Sequence, residues 1–147
     1  MGTYEAALEI VLQAHKLWVE TDGREGTRLD LSGADLVRAT LSGANLYGAD
    51  LSGAKLTVAV LAGAFLSGAD LSRADLSGAM LPEVVLSGAG LCGADLKRAN
   101  LYGADLSGAI LSGADLSRAY LSDANLYGVD LSGVNLSGAI LPEVSYE

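Results

Sequence analysis

The chain has one cysteine, two prolines, one tryptophan, one phenylalanine and one histidine in 147 residues. A lone Cys92 cannot form an internal disulfide, and no residue near it in sequence stands at a metal-ligand spacing. His15 is equally isolated, with no Cys or acid placed to complete a metal or catalytic set, so no catalytic residue, metal or cofactor is expected. The "GAG" at 88–90 is not followed by a helix that would turn it into a phosphate loop. Although 50% of the residues are apolar, Ser, Gly and Asp interrupt every run well short of the roughly 18–20 residues that cross a bilayer, and no membrane span is expected. Glu5 and Glu9 stand where a secretory signal would carry a basic segment and an apolar stretch, which makes the cytoplasm the expected location. Bases are scarce too: nine Lys and Arg against eighteen Asp and Glu leave a net charge of −9. Direct nucleic acid binding is disfavoured, because phosphates must be met by cations.

What the chain does have divides it in two. In residues 1–28, Ala7, Leu8, Val11, Leu12, Ala14, Trp18 and Val19 recur at helical spacings, Thr3 stands where a cap is needed, and the pattern ends near "TDGREG" with its two glycines. One amphipathic helix and a loop are expected there. From Leu31 to Leu141 a leucine occupies every fifth position, twenty-three times without a failure. The residue two before it is Ala in nineteen of those units, and Leu29, Val84, Val129 and Val134 in the others. Between these two apolar positions sits a mostly Asp or Asn site. After the Leu come a Ser-rich position and one that is Gly in fifteen units. A step of five advances a helix by about 500°, which scatters the leucines around the cylinder. In a flat strand the same step alternates faces, so half the leucines would meet water. The remaining geometry bends once per unit, with Ala and Leu inward and the other three positions at the corner and exterior: an all-β solenoid with a leucine core.

The unit Ala-(Asp/Asn)-Leu-Xaa-Xaa, seen as "ADLSG" at 49–53, 74–78 and 104–108 and as "ADLSR" at 69–73, resembles the repeat of the pentapeptide repeat proteins. The resemblance covers residues 29–147. It implies a right-handed quadrilateral β-helix with four units per coil, hence about six coils here and a rod of ~28 Å at the usual strand spacing. A solenoid leaves core leucines and strand edges open at both ends. The N-terminal helix of residues 1–28 is the natural cap of the first coil. No second lid follows the last coil, so a two-fold homodimer through Leu141, Val144 and Tyr146 is expected.

With twenty residues per coil the exterior sorts into columns. Asp30, Asp50, Asp70 and Asp130 share one, and Asp35, Asp75, Asp95 and Asp115 share the next, which makes one edge acidic. Turn bonding to nearby backbone is the bland explanation of those carboxylates. Away from that edge, one face presents Thr40, Val60, Met80, Asn100, Tyr120 and Ile140, with Ala62, Pro82, Tyr102 and Pro142 in its second outward column. A fourth face carries Tyr47, Phe65, Val85 and Tyr127. Contiguous apolar exposure points to docking, so Val60, Met80, Tyr102, Tyr120 and Ile140 are the candidate contacts of a protein partner, and the leading reading is a non-enzymatic interaction scaffold. The alternative is a DNA mimic that binds DNA gyrase or another topoisomerase, as some members of the resembled family do. Magnitude counts against it. Duplex DNA would carry about sixteen charges over the same length, whereas the five acids and three bases of residues 1–28 leave only −7 for the rest. Lys55, Arg73, Lys97, Arg98 and Arg118 also interrupt the edge. A third reading is a spacer that only stabilises something else.

Overall fold

The computed structural model of the chain describes residues 2–143. It opens with α1, Thr3–Glu20, followed by a turn and a long coil. Among the described residues no helix is long and apolar enough to cross a membrane.

Among the described residues the coil has no strand longer than one bridged residue, yet its register is regular. Eighteen parallel bridges join positions twenty apart, from Asp30 with Asp50 to Tyr120 with Ile140. Four units therefore make one coil. Within a unit, four of the five backbone N–H groups meet main-chain carbonyls. The Leu N–H donates upward, as Leu51 does to the Asp70 carbonyl at 2.7 Å, and the Gly N–H does likewise, as Gly53 to Ser72 at 2.8 Å. The Asp-position N–H donates downward, as Asp70 to Ala49 at 2.9 Å, and the Ala N–H closes a turn onto its own Leu, as Ala74 to Leu71 at 3.0 Å. That turn puts its third residue at positive φ, near +65°, where glycine carries no Cβ penalty.

Pairing of this kind stacks the apolar positions into columns. Leu46 through Leu121 are at most 1% exposed, and the alanines from Ala49 to Ala104 are equally closed. The core opens toward the end of the chain: Leu126, Leu131 and Leu136 are only partly buried, and Leu141 is 45% exposed. There the ladder also lapses on one side. Among the described residues, Asp130 makes no bond to the Ala109 carbonyl, and neither Leu111 nor Gly113 donates to the turn above.

Helix α1 lies against the other end of the core, where Leu8 and Leu12 pack on it. Its start differs from the expected one. Gly2 is the N-cap and Thr3 the first helical residue; the Gly2 N–H donates to the Glu5 carboxylate at 3.0 Å, half of a capping box. Two residues expected on the inner side, Ala7 and Val11, are exposed, whereas His15 is fully buried. Polar anchoring decides the rotation of the helix. The Leu29 N–H donates to His15 Nδ1 at 3.0 Å, Tyr4 donates to the Asp35 carbonyl at 3.0 Å, and Arg28 Nε donates to the Gly48 carbonyl at 2.6 Å. The His15 ring stacks on Trp18, centroids 5.5 Å apart. Gly26 lets the connecting loop return along the helix: it sits at φ +76°, and a Cβ there would come 2.7 Å from the Trp18 nitrogen.

Two outcomes follow from this packing. Leu76→Ala should cost about 3–5 kcal/mol in denaturant unfolding, and Leu136→Ala, at the open end, clearly less. Burial pushes the His15 pKa down; the Tyr47 carbonyl opposes that shift and the Arg28 charge adds to it. Protonation therefore favours the unfolded chain. Stability is intact above about pH 6.5 and is lost as pH falls from there toward the lowered folded value. Melting curves between those limits should show that loss in the wild type and not in His15→Gln, whose amide oxygen accepts the Leu29 N–H without titrating. Equal pH dependence in both would contradict the assignment.

Candidate functional site

The fifth N–H of a unit, on the residue after the Leu wherever that residue is not proline, has no main-chain acceptor among the described residues. In thirteen of the twenty-three units an Asp or Asn two residues earlier supplies one through Oδ1, as in Ser72 to Asp70 at 2.9 Å, Lys97 to Asp95 at 3.0 Å and Tyr102 to Asn100 at 3.0 Å. These are Asx turns. The acidic columns are thus built from groups that hold the corners together. Asp30, Asp50 and Asp70 form one bridged ladder, and Asp75, Asp95 and Asp115 another, which starts with Asp35 and Lys55. Asp130 belongs by period to the first, but no bridge joins it to Ile110.

The local bonds set the electrostatics. The Ser hydroxyl and then the Ser N–H hold Asp30, Asp70, Asp115 and Asp130 below the usual carboxylate pKa. For Asp75, burial raises the pKa, and the Ser77 bonds with those of its other neighbours outweigh it. Lys97 lies 3.3 Å from Asp95 and 3.7 Å from Asp115, so a cation sits inside the second acidic column. Among the described residues no group of His, Cys, Asp and Glu is arranged to hold a metal ion, and Cys92 is an exposed free thiol.

Ten units lack the Asx acceptor, and they are not spread evenly. On the third face five of six have given it up: Thr40, Val60, Met80, Tyr120 and Ile140, with only Asn100 retained. Two of these five are followed by Leu-Pro, as Leu81-Pro82 and Leu141-Pro142; proline has no N–H, so there no acceptor is required. The ladder from Thr40 to Ile140 lines these residues up in one column. Met80 is 42% exposed, Tyr102 and Tyr120 are each 40% exposed and Ile140 is 54% exposed, while Val60 is half-buried. Tyr102 and Tyr120 stack with centroids 6.1 Å apart. The Asp123 carboxylate beside Tyr102 raises its hydroxyl pKa by hydrogen bonding and by charge.

A second departure borders the same face. Seven solenoid residues other than glycine occupy the positive-φ corner: Arg38, Val58, Arg73, Glu83, Arg98, Arg118 and Asp123. A non-glycine residue there costs roughly 1 kcal/mol. All but Arg73 stand at the two corners that bound the third face, with Arg38, Val58, Arg98 and Arg118 on one side and Glu83 and Asp123 on the other. Sequence reasoning found the apolar column and overlooked these edges. The signal was present, as the absence of Gly at the third position of the turn. The remaining exposed aromatics of the fourth face, Tyr47, Phe65 and Tyr127, are spread over different coils.

A family model described as pentapeptide repeats matches in eight copies that together span residues 27–138. Among solved structures, a pentapeptide repeat protein of the Arabidopsis thaliana thylakoid lumen is 28% identical with a TM-score of 0.58, over 81% of this chain and 69% of that one. HetL, a pentapeptide repeat protein involved in heterocyst differentiation regulation in the cyanobacterium Nostoc, is 38% identical with a TM-score of 0.47, over 82% of this chain and 65% of that one. QnrB1, a plasmid-mediated fluoroquinolone resistance protein, in a trypsin-treated form, is 24% identical with a TM-score of 0.41, over 78% and 79%. The comparison with curated proteins finds no match.

The Asx turns carry a pH signature. Because the folded pKa values of Asp30, Asp70, Asp75, Asp115 and Asp130 are lowered, the stabilisation from these turns is full above the unfolded value of about 3.9 and is lost as pH falls through the lowered ones. The unfolding midpoint should therefore drop on acidification below about pH 4. Asp70→Asn, which keeps the acceptor and loses the charge, should fold normally at pH 7 and show a smaller acid loss, whereas Asp70→Ala should melt lower at pH 7. Identical melting of all three would refute the role given to the carboxylate.

Proposed function

Because this chain belongs to the pentapeptide repeat proteins, which are generally structural or interaction proteins rather than enzymes, we propose that it is a non-enzymatic scaffold that docks a protein partner on its third face. One observation carries the reading. On that face five of six units give up the Asx bond that most units elsewhere in the coil keep, and Met80, Tyr102, Tyr120 and Ile140 stand in the open. Departures from a locally optimal repeat are where function is expected, since the fold alone would favour Asp or Asn there. Val60 extends the same column toward α1.

The family's right-handed quadrilateral β-helix supplies the frame. In this reading residues 1–28 form a lid on the first coil, residues 29–147 make just under six coils, and the far end pairs with a second copy. Support for the pairing is the partial exposure of Leu131, Leu136 and Leu141; Val144 and Tyr146, the other residues expected there, lie outside the described residues. The Asp30, Asp50 and Asp70 ladder favours a second reading, a DNA mimic that engages DNA gyrase. Against it stand the turn bonds that those carboxylates already make and the Lys97 charge between Asp95 and Asp115.

Pull-down with the wild type should recover a partner that Met80→Asp and Tyr120→Asp lose by tenfold or more, on the order of 1.4 kcal/mol or greater. Equal recovery would reject the docking face. Gyrase supercoiling should be unchanged at micromolar excess of the protein; inhibition or protection there would move the function to the acidic edge.

A further inference from the structure

The third face has opposite charges on its two long edges. Arg98 and Arg118 stand at one corner and Glu83 and Asp123 at the other, all exposed. No ion pair joins any of the four to a neighbour among the described residues. Between them run Met80, Tyr120, Tyr102 and Ile140. A surface with this pattern is complementary to itself under one operation only. Rotation by 180° about an axis parallel to the rod lays two such faces together and exchanges left for right, so each basic edge meets an acidic one. Rotation about the perpendicular in-plane axis sets like against like. Height agrees as well. Arg118 and Asp123 are five residues apart, a quarter of a coil, which is about 1.2 Å along the rod at ~4.8 Å per coil.

We infer that the occupant of the third face is a second copy of this chain, bound side by side in parallel, with Arg118 of one protomer against the partner's Asp123 and the Tyr102–Tyr120 stacks in contact at the centre. The inference rests on the docking face proposed above and names what docks there. Placing arginines at strained corners is then explained: glycine would be easier on the backbone, but could not reach across. Such an interface is isologous. The strip is narrow, so the contact belongs with the weak interfaces below about 1,200 Å², and charge complementarity should dominate its specificity.

A charge-swap pair tests it. The double variant Arg98→Glu/Arg118→Glu makes both edges acidic, and Glu83→Arg/Asp123→Arg makes both basic. Arg and Glu already occupy these corners at φ 56–61°, so both variants keep side chains that the turn accommodates. Sedimentation velocity at low salt should show wild-type self-association, at least tenfold weaker association for either variant alone, and recovery in their one-to-one mixture. Salt at roughly 0.5 M, where screening reaches only about 4 Å, should weaken all of it. A mixture that associates no better than its components would overturn the inference. A dimer through the far end would persist unchanged in every variant, with the side-by-side contact visible as a further step above it. If the swap fails while Met80→Asp still abolishes capture of a different protein, the docking face stands and the second copy does not. If Met80→Asp changes neither, the docking face falls as well.

Discussion

Every coil depends on the hydrogen bond from a leucine N–H to the carbonyl nineteen residues further along. With its companion from the residue at the glycine position, it sets the coil at twenty residues and stacks every unit on the one four units away. Stacking in turn closes the core: a leucine column is buried only when the coils above and below are in register, which is why Leu46 to Leu121 are closed and the leucines beyond them are not. Between the two ends each coil is supported by its neighbours above and below, as in other solenoids. The ends therefore differ in kind from the middle. At one end α1 supplies apolar cover through Leu8 and Leu12 and an acceptor through His15 Nδ1; at the other the described residues stop with the core ajar.

The same bonding pattern explains the composition. Four N–H groups per unit are typically satisfied by the main chain, and in thirteen of the twenty-three units the fifth is satisfied by Asp or Asn Oδ1. An acidic surface results without any requirement that it be read by a partner. Half of the units that abandon this device lie on one face, and the corners beside that face carry residues that glycine would replace at lower cost in strain. Loss of the acceptor and acceptance of strain are independent departures, and their coincidence on the third face is the strongest pointer to function in the molecule.

Much of the architecture was legible in the residues. Twenty-three leucines at intervals of five excluded helix and flat sheet on geometry alone, and assigned Ala and Leu to the interior. The number of units per coil was not legible, because a five-residue bend is compatible with different turn angles; it came from the family resemblance, and the bridges at intervals of twenty carry it here. Helix α1 was legible as an element but not in its rotation. Hydrophobicity placed Val11 inside and ignored His15, whereas the Leu29 N–H, an unpaired donor at the start of the first coil, draws the imidazole in and turns Val11 outward. The apolar column of the third face was visible once the period was applied. Its charged edges were missed because the arginines were weighed only as interruptions of an acidic surface, not as residues standing in place of glycine.

Amide hydrogen exchange read residue by residue tests the ladder most directly. Leucine amides from Leu46 to Leu106, each donating to the next coil, should be strongly protected, with a five-residue period whose minimum falls at the residue after each Leu, the one N–H without a main-chain acceptor. Leu111 and Gly113, whose upward bonds are not made, should exchange much faster than their counterparts one coil earlier, Leu91 and Gly93. Protection without a five-residue period, or equal protection of Leu91 and Leu111, would contradict the account.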